Sequence, residues 1–379
     1  MKNRSLHLSL VLLTWIAACL PLPGQTQEPE FQKAIALTQA ARYPEAEAAW
    51  KKLAQAQPKN AGIHAALAHV LAAQNLLDQA AAEYRKSLML DPHQPDVSLD
   101  LGLAEFKQGK FAAAIDPLLA APQDHRTDIL LGMSFYGARA FGKAVPYLQS
   151  AVAADPANLK LHTVLAESCL WSAKYDCAMN QFRSILTADP DSVQSHMLLG
   201  QALDALNRSP EAIQELEAAA RIAPDEPNVH FELGYLYFVA HDYERAAPQF
   251  ELELKNNPEH AQATAYLGDI KLRANNRPEA ERLLTLALHL QDDMRMAWFD
   301  LGRVLSDENK NQEALAAFRK AESLDPADPD AHYRLARLYT TLGQKEKAQQ
   351  EYAKTRELHA KAADTLIQKV SGGEHTPTP

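Results

Sequence analysis

The sequence predicts an all-α protein built from about ten stacked helix-turn-helix repeats. Two observations lead to this fold class. Ala, Leu and other strong helix formers dominate, while only 14 of the 379 residues are Gly and 7% are aromatic, a composition that favours helices over strands. In addition, similar segments that end in proline recur every 34 residues along most of the chain, and a fixed period of this length indicates a repeat architecture.

The recurring prolines mark the end of each repeat. An interval of 34 residues separates successive members of the series Pro122, Pro156, Pro190, Pro224 and Pro258, and Pro326 follows after twice that interval. Proline lacks an N–H group and restricts the residue before it, so it ends the second helix of a repeat. Pro92 and Pro122 are only 30 residues apart, which predicts a third repeat whose second helix is about one turn short.

Small residues recur at two positions of each repeat when this proline is numbered 32. Position 20 is Ala in all ten repeats, from Ala46 to Ala348, and position 8 is always Gly or Ala. Position 24 is large and apolar throughout, from Trp50 to Tyr352. Small side chains let the two helices of a repeat approach closely, and the large one is expected to fill the space between neighbouring repeats. No repeat buries its apolar face alone, so the repeats stack.

This period and residue pattern resemble the tetratricopeptide repeat. The resemblance implies a right-handed α-solenoid superhelix over residues 27–362, with the end of the last helix and a disordered tail at 363–379. The boundaries of its ten repeats follow from the numbering: 27–60, 61–94, 95–124, 125–158, 159–192, 193–226, 227–260, 261–294, 295–328 and 329–362.

In this family, positions 2, 5, 9, 12 and 13 of the first helix line a concave groove that binds protein or peptide partners. The spacing places positions 2, 5, 9 and 12 on one face of a helix. Some of these side chains are alternatively explained by packing against a neighbouring repeat. The resemblance implies that the groove contains Tyr136, Trp171, Phe231, Tyr235, Phe238, Arg273, Phe299, Arg303, Tyr333 and Arg337.

The N-terminal segment has the layout of a secretory signal. Lys2 and Arg4 precede an apolar stretch that meets prolines too early for a membrane-spanning helix. Two processing sites fit residues 1–24. Cleavage near Gly24 would release a soluble protein, whereas the sequence that ends at Cys19 resembles the lipobox of bacterial lipoproteins and would lead to lipidation of Cys19. Both interpretations predict export to the periplasm, to the periplasmic face of the outer membrane or to the medium.

Two further cysteines belong to the repeats. Cys169 and Cys177 lie on the two helices of the fifth repeat, at similar distances from the turn. An even number of cysteines in an oxidising compartment suggests a disulfide, provided that the two Cα atoms are within about 7 Å. The alternative is a pair of small apolar core residues.

Histidine recurs at position 4 of five repeats, and three of these repeats are consecutive. Axes of packed helices are 8–10 Å apart, so histidines of successive repeats are too far apart to share one metal ion. We therefore expect these side chains to pack against the preceding repeat, and we expect no metal or cofactor. The histidines are His64, His162, His196, His230 and His332.

The repeats leave no room for a catalytic domain, and no nucleophile with a suitable base or phosphate-binding loop is recognisable, so no catalytic residue and no enzyme activity are expected. The net charge of −10 without a basic stripe argues against a nucleic-acid partner. The leading hypothesis is an exported scaffold or adaptor of the bacterial envelope. The alternatives are a lipid-anchored structural component of an outer-membrane, pilus or secretion assembly, and an accessory subunit that presents substrate to a separate enzyme.

Overall fold

The computed structural model describes residues 28–370, which form twenty α-helices and no strand. The predicted all-α solenoid of helix-turn-helix repeats is confirmed by this architecture. The predicted signal segment, Cys19 and the tail beyond residue 370 lie outside the described residues. The helices group into two compact parts, which we call the N-terminal part (28–206) and the C-terminal part (207–370).

The N-terminal part contains eleven helices. They are α1 (Glu28–Gln39), α2 (Tyr43–Ala56), α3 (Ala61–Ala73), α4 (Leu77–Leu90), α5 (Pro95–Lys107), α6 (Phe111–Leu119), α7 (His125–Gly137), α8 (Phe141–Ala154), α9 (Leu159–Trp171), α10 (Tyr175–Ala188) and α11 (Val193–Ala205). Odd-numbered helices are the first, or A, helices of the repeats, and even-numbered helices are the second, or B, helices.

The C-terminal part contains nine helices. They are α12 (Ser209–Ile222), α13 (Val229–Val239), α14 (Tyr243–Asn256), α15 (Ala261–Arg273), α16 (Arg277–Leu290), α17 (Arg295–Asp307), α18 (Asn311–Leu324), α19 (Pro329–Thr341) and α20 (Lys345–Val370). Within each part, each helix packs against the helix that follows it, and several successive A helices also contact one another, as α7 and α9 do. We call the face that the A helices form in each part the A-helix surface.

The turn between the A and B helices has the same backbone conformation in every repeat. Its left-handed residue always falls at position 15, for example at Asn75, Arg139 and Gly343. In nine of the ten turns, all except that of the sixth repeat, the N–H of residue 16 donates to the carbonyl of residue 11, as Leu76 does to Leu71 at 2.9 Å. This bond closes the C-terminal end of the A helix in the manner of a Schellman motif, and its recurrence gives the repeats a common geometry.

The small residue at position 8 is required by the large residue at position 24 of the same repeat. A Cβ atom added to Gly132 would lie 2.7 Å from the side chain of Leu148, and one added to Gly302 would lie 2.7 Å from the ring of Phe318. Both large side chains are fully buried. The pattern therefore reflects close packing of the A and B helices inside one repeat.

The third repeat departs from the others. Its B helix, α6, has nine residues, whereas the other B helices within residues 43–324 have fourteen. Pro117 lies inside α6, where it removes one N–H donor, and the chain leaves the helix two residues later. The missing residues are thus taken from the end of the B helix, and the turn between α5 and α6 keeps its form at Gly109.

Candidate functional site

The groove residues implied by the family resemblance all lie on A helices, and the structure buries none of the ten completely. Trp171, at the end of α9, is 56% exposed, and Tyr333 on α19 is 43% exposed. The other aromatic members are half-buried. An A-helix surface with accessible aromatic side chains is therefore present in both parts of the chain.

The C-terminal part brings three of these aromatic residues together around a fourth. The ring of Tyr266 on α15 has its centre 6.2 Å from that of Phe231, 5.7 Å from that of Tyr235 and 4.9 Å from that of Phe238. We call these four residues the aromatic cluster. Tyr266 also stacks on the buried Phe250, with 5.5 Å between ring centres, so the core of α14 supports the cluster from below.

Two buried aspartates lie beside the aromatic cluster. Asp269 on α15 is 2% exposed and Asp300 on α17 is 4% exposed. Arg273 donates to Asp269 at 2.7 Å, and Arg303 donates to Asp300 at 2.7 Å. Burial, reinforced by the negative charge of Asp269, raises the pKa of Asp300 to about 6. Arg273 and Arg303 are therefore engaged by the chain itself.

A second pair of arginines has no such partner. Arg334 and Arg337 on α19 make no hydrogen bond or ion pair with any residue of the described part of the chain. Burial and the nearby charges of Arg303 and Arg337 lower the pKa of Arg334. The charges of Asp307 and Asp330 act on the pKa of Arg334 in the opposite direction, but neither carboxylate forms an ion pair with it.

The N-terminal part carries a polar chain on its A-helix surface. The Tyr136 hydroxyl on α7 donates to Glu167 on α9, and the side-chain amide of Gln194 on α11 donates to the other oxygen of Glu167 at 3.1 Å. Burial and the hydrogen bond to Glu167 raise the pKa of Tyr136 to about 12. These hydrogen bonds thus connect three successive A helices across the surface. Trp171, the last residue of α9, is exposed on the same surface.

Four of the five histidines at position 4 connect neighbouring repeats through hydrogen bonds, whereas His230 bonds to Gln249 within its own repeat. The Nε2 atoms of His64, His162 and His196 lie 3.0 Å from the carbonyl oxygens of Pro58, Pro156 and Pro190, respectively, each the last proline of the preceding repeat. The expected packing against the preceding repeat is therefore accompanied by a specific hydrogen bond.

Cys169 and Cys177 are joined by a disulfide in the structure, with 5.8 Å between their Cα atoms. The bond connects α9 to α10 across the turn, and Cys169 is completely buried. The disulfide therefore closes the fifth repeat next to Trp171 and the polar chain.

Several residues of the site, Asp300 and Gln194 among them, were not predicted from the sequence. Tyr266 and Arg334 both occupy position 6 of their repeats, a position outside the set that lines the groove in the family. Both are nevertheless half-buried at the edge of the A-helix surface. The sequence feature that indicates such residues is an aromatic or charged side chain at position 6, where an A helix meets the preceding A helix.

Sequence comparison identifies the repeat. Models described as tetratricopeptide repeat match residues 31–95, 66–128, 231–294 and 267–329, and a second model with this description matches residues 172–231 and 305–370. Together they account for more than half of the chain. The chain belongs to the tetratricopeptide repeat family. Arrays of this family are generally protein-interaction scaffolds without enzyme activity, so the coarse function is binding of a protein or peptide.

Solved structures align with about half of the chain. MamA from Desulfovibrio magneticus RS-1 is 22% identical, with a TM-score of 0.41, over 45% of this chain and 96% of MamA. YrrB, described as a TPR protein with an unusual peptide-binding site, is 22% identical, with a TM-score of 0.42, over 50% of this chain and 97% of YrrB. A comparison with curated proteins found no match.

A search for membrane-spanning segments among the described residues found none, because no helix there combines sufficient length with sufficient apolar character.

Proposed function

We propose that this protein is an exported, non-enzymatic scaffold that binds an acidic segment of a partner protein on the A-helix surface of its C-terminal part. The observation that carries the proposal is the position of two unpaired arginines, Arg334 and Arg337, on the same surface as the half-buried aromatic cluster. Aromatic and arginine side chains dominate the energy of protein interfaces when they are desolvated together. A segment with apolar and acidic side chains would match both features.

Each group of residues has a distinct part in this binding. Phe231, Tyr235 and Phe238 offer ring faces to apolar side chains of the partner. Arg337, which is exposed, is available to pair with its carboxylates. Arg273 and Arg303 already form ion pairs with Asp269 and Asp300. They therefore contribute to the shape of the surface, and Arg337 pairs with the carboxylates of the partner.

The test is affinity capture from the native cell envelope with the tagged full-length protein and with two variants. The Phe231→Ala/Tyr235→Ala variant should recover less of the captured partner, because it removes two rings of the aromatic cluster. Arg337→Glu should weaken capture further while leaving the fold intact, because this side chain is exposed and makes no internal contact by hydrogen bond within residues 28–370. Circular dichroism and the melting temperature report on folding.

The matched control is Leu252→Ala/Leu286→Ala, which removes two exposed apolar side chains from the B helices α14 and α16. This variant should capture the partner as well as the wild type does. Equal recovery by the wild type and by both A-helix variants would show that the partner binds elsewhere.

Export and membrane attachment are part of the proposal and rest on residues 1–24. Mass spectrometry of the mature N-terminus distinguishes the two forms. A start near Gln25 indicates a soluble protein, and an acylated Cys19 favours the alternative role as a lipid-anchored structural component of an envelope assembly. An N-terminus that still includes Met1 would contradict export by either route.

A further inference from the structure

The joint between the last two repeats contains a group of potential metal ligands outside the A-helix surface. Glu322 on α18, His332 on α19 and Glu351 on α20 each offer one ligand atom, and the three atoms lie within 4.8 Å of one another. His332 Nδ1 is 2.7 Å from Glu351 Oε2 and 3.8 Å from Glu322 Oε1. The imidazole ring is 5% exposed, whereas both carboxylates are partly accessible to solvent.

The other nitrogen of His332 fixes which atom is available to a metal. Nε2 lies 3.2 Å from the carbonyl oxygen of Pro326, and because a carbonyl only accepts, Nε2 must carry the hydrogen. Trp298 occupies the same position of the ninth repeat, and its indole N–H donates to the Asp292 carbonyl at 2.8 Å. The 2.7 Å contact between Nδ1 and Glu351 therefore also contains a hydrogen, and a metal ion that binds Nδ1 and Glu351 displaces this proton to solvent.

A comparison among the repeats shows that this arrangement is not a general property of histidine at position 4. His64 has the same two contacts, with Nδ1 2.6 Å from Glu83 and Nε2 3.0 Å from the Pro58 carbonyl. The third ligand of His332 comes from position 28 of the preceding repeat, where Glu322 lies. At the other four histidine-containing joints this position holds Ala54, Val152, Leu186 and Ala220.

We propose that Glu322, His332 and Glu351 form a binding site for one divalent transition-metal ion, best suited to Zn²⁺. A neutral imidazole and two carboxylates neutralise the charge of the ion, and Zn²⁺ accepts this combination of nitrogen and oxygen donors. The backbone carbonyl of Pro326 acts as the outer-shell acceptor that orients a metal-bound histidine. Water fills the fourth position, on the side where the carboxylates reach solvent.

The required movements are small. Tetrahedral bonds of about 2.0–2.1 Å place neighbouring ligand atoms roughly 3.3 Å apart. The present Nδ1 separations of 2.7 and 3.8 Å lie on either side of that value, so each changes by about 0.5–0.6 Å. The two carboxylate oxygens are at most 4.8 Å apart, so they approach each other by up to about 1.5 Å. Glutamate side chains accommodate such changes by rotation. Histidines of successive repeats do not share this ion, because the additional ligands come from the B helices α18 and α20.

The bound ion would connect α18, α19 and α20 and so stabilise the last two repeats. The test is isothermal titration of the untagged full-length protein with Zn²⁺ after treatment with a chelator, together with melting curves with and without Zn²⁺. We expect one saturable site and a higher melting temperature in the presence of Zn²⁺. Glu322→Ala should lower the affinity on the order of tenfold or more, since loss of an outer-shell partner alone costs that much.

Two features of the chain provide controls. Glu322 occupies position 28, and the equivalent residue beside His64 is Ala54. The Glu322→Ala variant should therefore keep its fold. Glu83→Gln alters the two-contact histidine of the second repeat and should leave Zn²⁺ affinity unchanged. Absence of saturable Zn²⁺ binding, or equal affinity of the wild type and Glu322→Ala, would overturn the proposal. A loss of Zn²⁺ affinity in Glu83→Gln as large as that in Glu322→Ala would also overturn it.

Discussion

At the level of single residues, the glycine at position 8 of the ninth repeat is in close contact with its neighbour at position 24. The added Cβ of a Gly302→Ala variant would lie 2.7 Å from Phe318, a ring that is 1% exposed and has no space to move. We expect this substitution to lower the free energy of unfolding by roughly 1–3 kcal/mol, the usual cost of an additional methyl group in a packed core. Urea denaturation measures the change.

The matched control for this variant is Gly142→Ala at the start of α8. The nearest atom to its added Cβ is Ser172 Cβ at 3.8 Å, an ordinary contact. Because alanine favours helix over glycine by roughly 1 kcal/mol, this variant should be at least as stable as the wild type. Equal destabilisation by both substitutions would contradict the packing explanation.

Asp300 makes stability depend on pH. Burial and the facing charge of Asp269 raise its pKa to about 6 against the opposing effect of Arg303 and Arg273, whereas an unfolded Asp titrates near 3.9. Between about pH 4 and pH 6 the folded chain thus holds a proton that the unfolded chain has lost. The contribution of Asp300 to the free energy of unfolding is therefore fully present below about pH 4 and is lost as the pH rises through about 6.

An Asp300→Asn variant removes this titration. It should be more stable than the wild type at pH 7, by on the order of 1–3 kcal/mol, and the difference should shrink toward pH 4. Urea midpoints at several pH values provide the measurement, and the exposed Asp225→Asn serves as the control. A difference that stays constant with pH would show that Asp300 does not carry the effect.

At the level of elements, the turn between the A and B helices carries avoidable strain in some repeats. Position 15 is left-handed in all ten turns, but Arg139 has a Cβ atom that disfavours its φ of 58°. Arg139→Gly should raise the free energy of unfolding by roughly 0.5–1 kcal/mol, because glycine adopts this conformation without steric cost. The urea midpoint again reports the change.

Asn75→Gly is the control for this prediction. Asn75 has a φ of 60°, and asparagine tolerates the left-handed region better than arginine does, so the gain should be smaller. A destabilised Arg139→Gly variant would show that the arginine side chain contributes more than its backbone strain costs. In the fifth repeat, where Ala173 takes this position, the Cys169–Cys177 disulfide also connects the two helices.

At the level of the whole molecule, stability should vary along the chain. α1 packs mainly on α2, whereas α9 contacts α7, α8 and α10. In a repeat array each element depends on its immediate neighbours, so a terminal helix opens at lower free energy than an internal one. Hydrogen exchange followed by mass spectrometry should find faster exchange in α1 than in α9. Equal protection of both helices would indicate that the array unfolds as one cooperative block.

Much of the fold could be predicted from the sequence, because it depends on local and periodic features. The prolines, the small residues at positions 8 and 20 and the large residue at position 24 each act within a single repeat. A 34-residue period repeats the same backbone conformation, so one sequence pattern predicts ten helix pairs. The aromatic character of the A-helix surface around Phe231 and Tyr235 followed from the same numbering.

The pairing of side chains between repeats was decided only by the tertiary structure. The sequence shows an aspartate four residues before Arg273 and three residues before Arg303 on the same helix, but only the structure shows that both aspartates are buried. The sequence likewise shows five similar histidines, and only the structure brings Glu322 to one of them. The physical reason is that the repeat period determines where a backbone lies, whereas burial and ligand geometry depend on which side chains meet when the helices pack together.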